Sequence, residues 1–254
     1  MQTLNDPPSL HIDGPVATLC LNRPQLANRL SVADLQRLHQ HIECLRAKPE
    51  LRLVLLRGAG AHFCAGFQID AVDEVDAPAL FEQLTDAWES LPTLTLAVIQ
   101  GDVWGGAVDW ALACDFRLGG PSGRLGIPAA RLGLHFYGGG MQRLVSRLGL
   151  SAAKRLLLAA EVWQDDQRLH GGFLDAQSGD LEALVGIWQQ RLLDLAPLAQ
   201  QGMKRHLNAL DRRTRDPDVA AQFTQDSARC AASQDLAEGL LAWKQKRPPR
   251  FRGV

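Results

Sequence analysis

Two glycine-bearing segments carry the strongest chemical suggestion in this 254-residue chain. One is Ala65-Gly66-Phe67, at the end of a loop. The other is Gly101-Asp-Val-Trp-Gly-Gly-Ala107, which joins an apolar, strand-like run to a helical one. Glycine lets the main chain approach a ligand closely. A helix starting near Gly106 presents unpaired backbone N–H groups and the positive end of its dipole. Such donors stabilise negative charge developing on an oxygen. The alternative reading of Gly105-Gly106 is tight packing of strand against helix. A phosphate loop fits less well, because no Gly-Lys-Ser/Thr is present and the spacing is not GxGxxG. Asp109 follows three residues after Gly106, within Val108-Asp-Trp-Ala-Leu112. A carboxylate in so apolar a helix is costly unless it is paired or used.

The flanking patterns say what must position these groups. Val16 to Leu21, Leu51 to Arg57, Leu94 to Gln100 and Asp115 to Leu118 read as strands, the second as an apolar run buried on both faces. Helices are predicted after Ser31, a fitting N-cap for Leu35, Leu38, Ile42 and Leu45, and over Leu80 to Leu91 and Ala107 to Ala113. Strand alternating with helix implies α/β units with parallel pairing. The second half is mostly helical. Met141, Leu144, Val145 and Leu148 share a face, Ser151 is placed to cap a run through Ala159, and Asp180 to Leu195 is amphipathic. Pro197 suits a first helical turn, and Asp235 with Glu238 resembles a capping box. Residues 1–195 are therefore expected to form the α/β body and residues 196–254 a helical appendage.

Composition narrows the class. The net charge of −1 gives no reason to expect a nucleic-acid or membrane partner. Cys20, Cys44, Cys64, Cys114 and Cys230 are scattered, odd in number and without a CxxC pair, so neither a disulfide framework nor a metal site is expected. The first nine residues are polar and proline-bearing, unlike a signal peptide, and no run is long enough to span a bilayer. A cytoplasmic setting is the expectation.

The segments also resemble, in order, those of the crotonase (enoyl-CoA hydratase/isomerase) superfamily. The matching residues are Leu21-Asn-Arg-Pro24 with Asn28, Phe63-Cys-Ala-Gly66, Gly101 with Gly105-Gly106, Ala111-Leu-Ala-Cys-Asp115, and Pro128 with Leu132-Gly133. Gly139-Gly140 with Leu144, and Asp235 with Glu238-Gly239 and Lys246-Arg-Pro248, complete the set. The resemblance implies a spiral (superhelix) of ββα turns followed by a C-terminal helical trimerisation region, in a homotrimer or dimer of trimers. It implies an acyl-CoA or acyl-carrier thioester substrate, with coenzyme A as part of the substrate and no separate cofactor. Phe67 and Gly106 match the two backbone donors of the family's oxyanion hole. Arg23, Ala65, Gln68, Ile69 and Lys246 match coenzyme-contacting positions, Gln68 standing where the family usually has Asp.

The acid/base positions depart from the family. Its hydratases use two glutamates; here the first position holds Asp109 and the second, after Pro128, holds Ala129. Ala129 transfers no proton, so ordinary two-glutamate hydration is not expected. His135 and Tyr137 lie just beyond, in the stretch that the resemblance places near the acyl end, where either side chain can donate a proton or bind a carboxylate. Arg131 is a further candidate for pairing with Asp109 or an acidic substrate, and Trp104 and Trp110 flank the proposed site. The leading expectation is a thioester enolate held by Phe67 and Gly106, with Asp109 as the single carboxylate and His135 or Tyr137 assisting. The alternatives are decarboxylation or other C–C cleavage of an acyl thioester, and thioester binding without catalysis.

Overall fold

The computed structural model describes residues 6–68, 76–212, 225–226 and 228–252. Its main sheet has six strands: β1 (Ser9–Asp13), β2 (Val16–Leu21), β3 (Leu53–Gly58), β4 (Leu94–Ile99), β6 (Phe116–Gly119) and β9 (Ala176–Gln177), in the order β1-β2-β3-β4-β6-β9. β1 pairs antiparallel with β2, and every other pairing is parallel. A smaller sheet holds β5 (Val103–Trp104), β7 (Arg124–Gly126) and β8 (Val162–Gln164), in the order β5-β7-β8.

The central strands are apolar on both sides because both faces of the main sheet are covered. On one face Leu19, Leu21, Val54, Leu56, Ala97 and Ile99 meet α1 (Val32–Arg46), α2 (Ala77–Glu89) and α3 (Gly106–Leu112). On the other, Leu53, Leu55, Leu96, Val98 and Leu118 meet Val185, Trp188 and Leu192 of α7 (Leu181–Leu193). The register that alternates these sets runs Leu19↔Leu56 and Leu55↔Leu96. Strand β1 was not expected from its polar composition. It forms because a turn at Gly14 (φ +53°) folds it back on β2, with Leu10 and Ile12 packed against the core.

The remaining helices are α4 (Gly138–Leu148), α5 (Leu150–Leu157), α6 (Gln167–His170), α8 (Pro197–Arg212) and α9 (Gln234–Lys244). Ser31 caps α1 in a reciprocal box with Asp34, as its type suggests. Two expected caps are corrected. α5 begins after Gly149, two residues earlier than a Ser151 cap would place it. α9 is capped by Ser233, whose hydroxyl accepts from Leu236 N at 3.1 Å. Asp235 and Glu238 are engaged elsewhere: Glu238 binds Arg247 at 2.6 and 2.8 Å, and Asp235 accepts from Arg252 N.

Both C-terminal helices dock on the body. The buried Lys204 ammonium of α8 donates to Thr93 O (2.8 Å) and to Asp115 Oδ2 (2.7 Å). α9 lies so close to the 3-10 turn Ala129–Leu132 that a Cβ on Gly239 would stand 2.4 Å from Leu132 O. No helix among the described residues is long and apolar enough to cross a membrane.

Candidate active site

The two glycine segments are joined through their main chains. Phe63 N and Cys64 N donate to Asp102 O at 3.1 and 3.3 Å, and Trp104 N donates to Cys64 O at 3.0 Å. This makes a parallel bridge, Cys64↔Val103. A second bridge, Leu30↔Phe67, fixes the other side: Leu30 N donates to Gly66 O and Gln68 N to Leu30 O, both at 2.8 Å. Leu30 thus takes the groups flanking Phe67. Amides alternate in direction along an extended segment, so the Phe67 N–H is turned away from Leu30. Gly106 opens α3, where the first amides have no intrahelical acceptor.

Gly66 has no substitute in this arrangement. Its φ is +81°, and a Cβ there would lie 2.7 Å from Trp104 O. Upstream, buried Asn28 adopts φ +55° and ties the loop down. Its amide donates to Ala59 O and His62 O, both at 2.8 Å, and its Oδ1 accepts from Arg23 N at 2.9 Å. Downstream, the buried Arg168 guanidinium donates to Gly101 O and Gly120 O, anchoring the start of the second segment.

Between the segments lies a cavity of about 110 Å³. Ala65, Gly66, Phe67, Gly105 and Gly106 line it, with Phe81, Trp104, Ile127, Pro128, Ala129, Leu134, His135, Phe136 and Tyr137 among the other walls. Five of the expected site residues therefore converge on one space: Ala65, Phe67, Gly106, His135 and Tyr137. Ala129, at the missing second-acid position, borders it too.

Asp109 is fully buried one layer behind. Tyr137 Oη donates to Asp109 Oδ2 at 2.8 Å, which connects the carboxylate to the cavity. Arg143 grips the same carboxylate from α4, Nε to Oδ1 at 2.6 Å and Nη2 to Oδ2 at 2.9 Å. The guanidinium also donates to Asp86 Oδ1 (2.7 Å) and Thr85 Oγ1 (2.7 Å) of α2. Burial acts to lower the Arg143 pKa, but the charge and hydrogen bonds of Asp109, with Glu89 and Asp86, outweigh it and hold the group well above its ordinary value. Burial first, and the Asp109 charge next, push the Tyr137 phenol well above the usual range, so it keeps its proton.

Arg143 was not singled out from sequence. It sits beside the apolar positions Leu144 and Val145, and nothing local distinguishes a buried arginine there from a solvated one. The neighbouring glycines were the available signal. A Cβ on Gly140 would meet the Phe136 and Tyr137 rings at 2.5 and 2.7 Å, and one on Gly139 would meet Glu82 Oε1 at 2.8 Å.

Other expected residues lie elsewhere. Arg23 forms an ion pair with buried Asp34 at the start of α1, beside a separate small depression. Gln68 is engaged by its backbone with Leu30, and Lys246 is exposed beyond α9 at φ +52°. Ile69 falls outside the described residues. Arg131 is exposed, and its guanidinium donates to Ala160 O at 3.0 Å rather than to Asp109. Trp110 does not wall the cavity. One residue past Asp109 it is rotated by ~100° on the helix, into the core, where it meets the Trp88 ring edge-on at 5.6 Å.

This combination of a mixed α/β body, paired glycine loops and a buried carboxylate behind them defines a recognisable class. The sequence profile of the enoyl-CoA hydratase/isomerase family matches residues 11–254. The chain is 31% identical over 240 residues to the probable enoyl-CoA hydratase echA6 of Mycobacterium tuberculosis, covering 94% of this chain and 96% of that protein. It is 28% identical over 260 residues to the mitochondrial methylglutaconyl-CoA hydratase of Mus musculus, covering 94% and 80%. The fold superposes on a crystal structure of methylmalonyl CoA decarboxylase with a TM-score of 0.89 at 24% identity, covering 98% and 99% of the two chains. The chain belongs to the enoyl-CoA hydratase/isomerase family and is an enzyme of that family.

Proposed function

We propose that this enzyme forms an enolate of an acyl-CoA thioester, holding its carbonyl oxygen between the Phe67 and Gly106 amides. The observation that carries this reading is the Cys64↔Val103 bridge, which joins the two amide-bearing segments across one cavity. Enolisation places negative charge on the thioester oxygen. Preorganised donors in a water-poor site meet that charge without reorganising, and loss of one costs on the order of 3 kcal/mol.

Asp109 acts through Tyr137. The α-carbon proton passes to Tyr137 Oη while the phenolic proton passes to Asp109 Oδ2, and the reverse transfer returns a proton to carbon. The carboxylate is restored in each cycle, which suits migration of a double bond. Hydration by a pair of acids is disfavoured by Ala129 on the cavity wall. The exposed apolar residues Leu198, Met203, Leu207 and Leu210 of α8 fit packing between subunits of a trimer.

The test is exchange of the α-protons of a saturated acyl-CoA in deuterium oxide, alongside isomerisation of 3-enoyl to 2-enoyl thioesters. Asp109→Asn and Tyr137→Phe are each expected to slow exchange by ~10²–10⁴-fold while coenzyme binding persists. The double variant should be no slower than the worse single one, because the two residues form one relay. Full exchange in Asp109→Asn would refute the assignment. Rapid CO₂ release from a malonyl-type thioester without exchange would move the activity to decarboxylation.

A further inference from the structure

We propose that Asp102 is a positioning residue for the oxyanion hole, and that it sets the spacing of the two amide-bearing segments through its acceptor oxygen Oδ1. The inference rests on the enolate reading above and adds the residue that holds its donors in place.

Asp102 is buried directly before β5, and it faces two ways. Its main chain turns to the first segment. Asp102 O accepts from Phe63 N and Cys64 N, and Asp102 N donates to the His62 imidazole at 3.4 Å. Its side chain turns to β7, where Oδ1 accepts from Arg124 N at 2.8 Å. One residue therefore touches the first segment, belongs to the second and grips the strand that pairs with it.

The grip matters because β5 is so short. It pairs with β7 only through Val103↔Leu125 and Trp104↔Gly126. Asp102 O is given to the first segment, so the carboxylate supplies the acceptor for Arg124 N that a longer strand would draw from its own main chain. Further along, Gly105 N donates to Gly126 O at 2.9 Å. The second segment is thus fastened to β7 at each end. The next peptide carries the Gly106 N–H, and its oxygen, Gly105 O, accepts from Val108 N at 3.1 Å. The donor takes its direction from a peptide held on both sides.

A charged acceptor binds Arg124 N more strongly than a neutral one would. Burial acts to raise the Asp102 pKa, but the side-chain and backbone hydrogen bonds of Arg124 outweigh it and hold the group below its ordinary value. Oδ2 is occupied separately. The Arg124 guanidinium donates to it at 2.6 and 3.1 Å, and Trp104 Nε1 is directed to it at 3.5 Å. That guanidinium lies over the Trp104 ring, 5.5 Å from the centroid. Loss of the carboxylate would release Arg124 N, the guanidinium and the indole together. The start of the second segment would then be tied to β7 by the two-residue ladder alone.

The experiment is isotope-edited infrared spectroscopy of carbonyl-labelled butyryl-CoA bound to the full chain, with α-proton exchange measured alongside. Donors on the thioester oxygen lower its stretching frequency, so the wild type should hold the carbonyl below its frequency in free butyryl-CoA. Asp102→Ala should lose about half of that shift or more. Its kcat for exchange should fall about tenfold, short of the ~10²-fold cost of a 1 Å displacement, with KM within about twofold. Asp102→Asn keeps an oxygen for Arg124 N and should retain most of the shift. Asp102→Glu keeps the charge and the pairing with Arg124 but carries the acceptor one methylene further out. It should lose part of the shift, and it stands in if the alanine variant does not fold. A wild-type shift and kcat in Asp102→Ala or Asp102→Glu, with only Tm lowered, would make Asp102 a purely structural residue and overturn the proposal. So would a loss in Asp102→Asn as large as in Asp102→Ala. No lowering of the carbonyl frequency in the wild type would overturn the enolate reading itself.

Discussion

Gly66→Ala tests how closely the two amide-bearing segments are set. The added Cβ would stand 2.7 Å from Trp104 O, 3.5 Å from Trp104 C and 3.7 Å from Gly105 Cα. Carbon and oxygen ordinarily approach no closer than about 3.3 Å. The segments must therefore part by roughly 0.6 Å. A displacement of about 1 Å at a reacting centre costs ~10²-fold, so α-proton exchange is expected to fall by about tenfold or somewhat more. The left-handed backbone at φ +81° adds ~1–2 kcal/mol of conformational cost. In a chain of this size that corresponds to a Tm lower by roughly 2–8 °C. Gly14→Ala is the matched control: its φ is +53°, and nothing lies within 4 Å of the added carbon. It should show a similar thermal loss with full exchange. Exchange is followed by proton NMR of butyryl-CoA in deuterium oxide, with Tm from calorimetry. Wild-type exchange in Gly66→Ala, or equal loss in Gly14→Ala, would refute the link between segment spacing and enolate stabilisation.

Three further outcomes are expected. Tyr137 is the chain's only tyrosine, so near-ultraviolet tyrosinate absorbance reports it alone. In Asp109→Asn it should ionise at lower pH than in the wild type, because a charge that raises it has gone. The phenol is raised in the folded state, so the unfolded chain releases that proton first. Its contribution to stability is intact below about pH 10 and declines above it, as pH rises toward the folded value. Arg143→Met leaves the buried Asp109 carboxylate without its cation and should cost roughly 3–5 kcal/mol in urea unfolding, most of it recovered in Asp109→Asn/Arg143→Met. Burial pushes the Cys64 and Cys114 thiols from 9.0 up to about 12. Stability should therefore decline between about pH 9 and 12 by up to ~1.4 kcal/mol per pH unit for each thiol, and alkaline unfolding of Cys64→Ala/Cys114→Ala should be correspondingly flatter.

Much of the body was legible because its signals are local. The buried runs of β3 and β4, the Ser31 cap and the proline opening α8 each follow from residues within a turn of one another. The site was half legible for the same reason. Gly66 and Gly106 announce close approach of the main chain, and an aspartate in an apolar helix announces a partner. The partner itself was hidden. Arg143 is 34 positions from Asp109, and its burial results from three helices meeting rather than from any local pattern. Arg131, the cation the sequence did offer for that role, lies in the 3-10 turn and is exposed, the solvated position that is commoner for an arginine. The short strands β5, β7 and β9 escaped because two or three residues give no period to read. They exist as ladders only where the chain returns to supply the other edge.

The Cys64↔Val103 bridge also bears on how such a site tolerates change. The groups that set its spacing belong to the peptide repeat, which every residue except proline supplies in full. The half-buried side chain at position 67 can therefore vary without dismantling the hole, and a bulky Phe67 is compatible with it. Saturation mutagenesis should therefore return a permissive position 67 directly beside an invariant position 66. In an enzyme laid out this way, new substrates are reached by repainting the walls, with the donors left where they are.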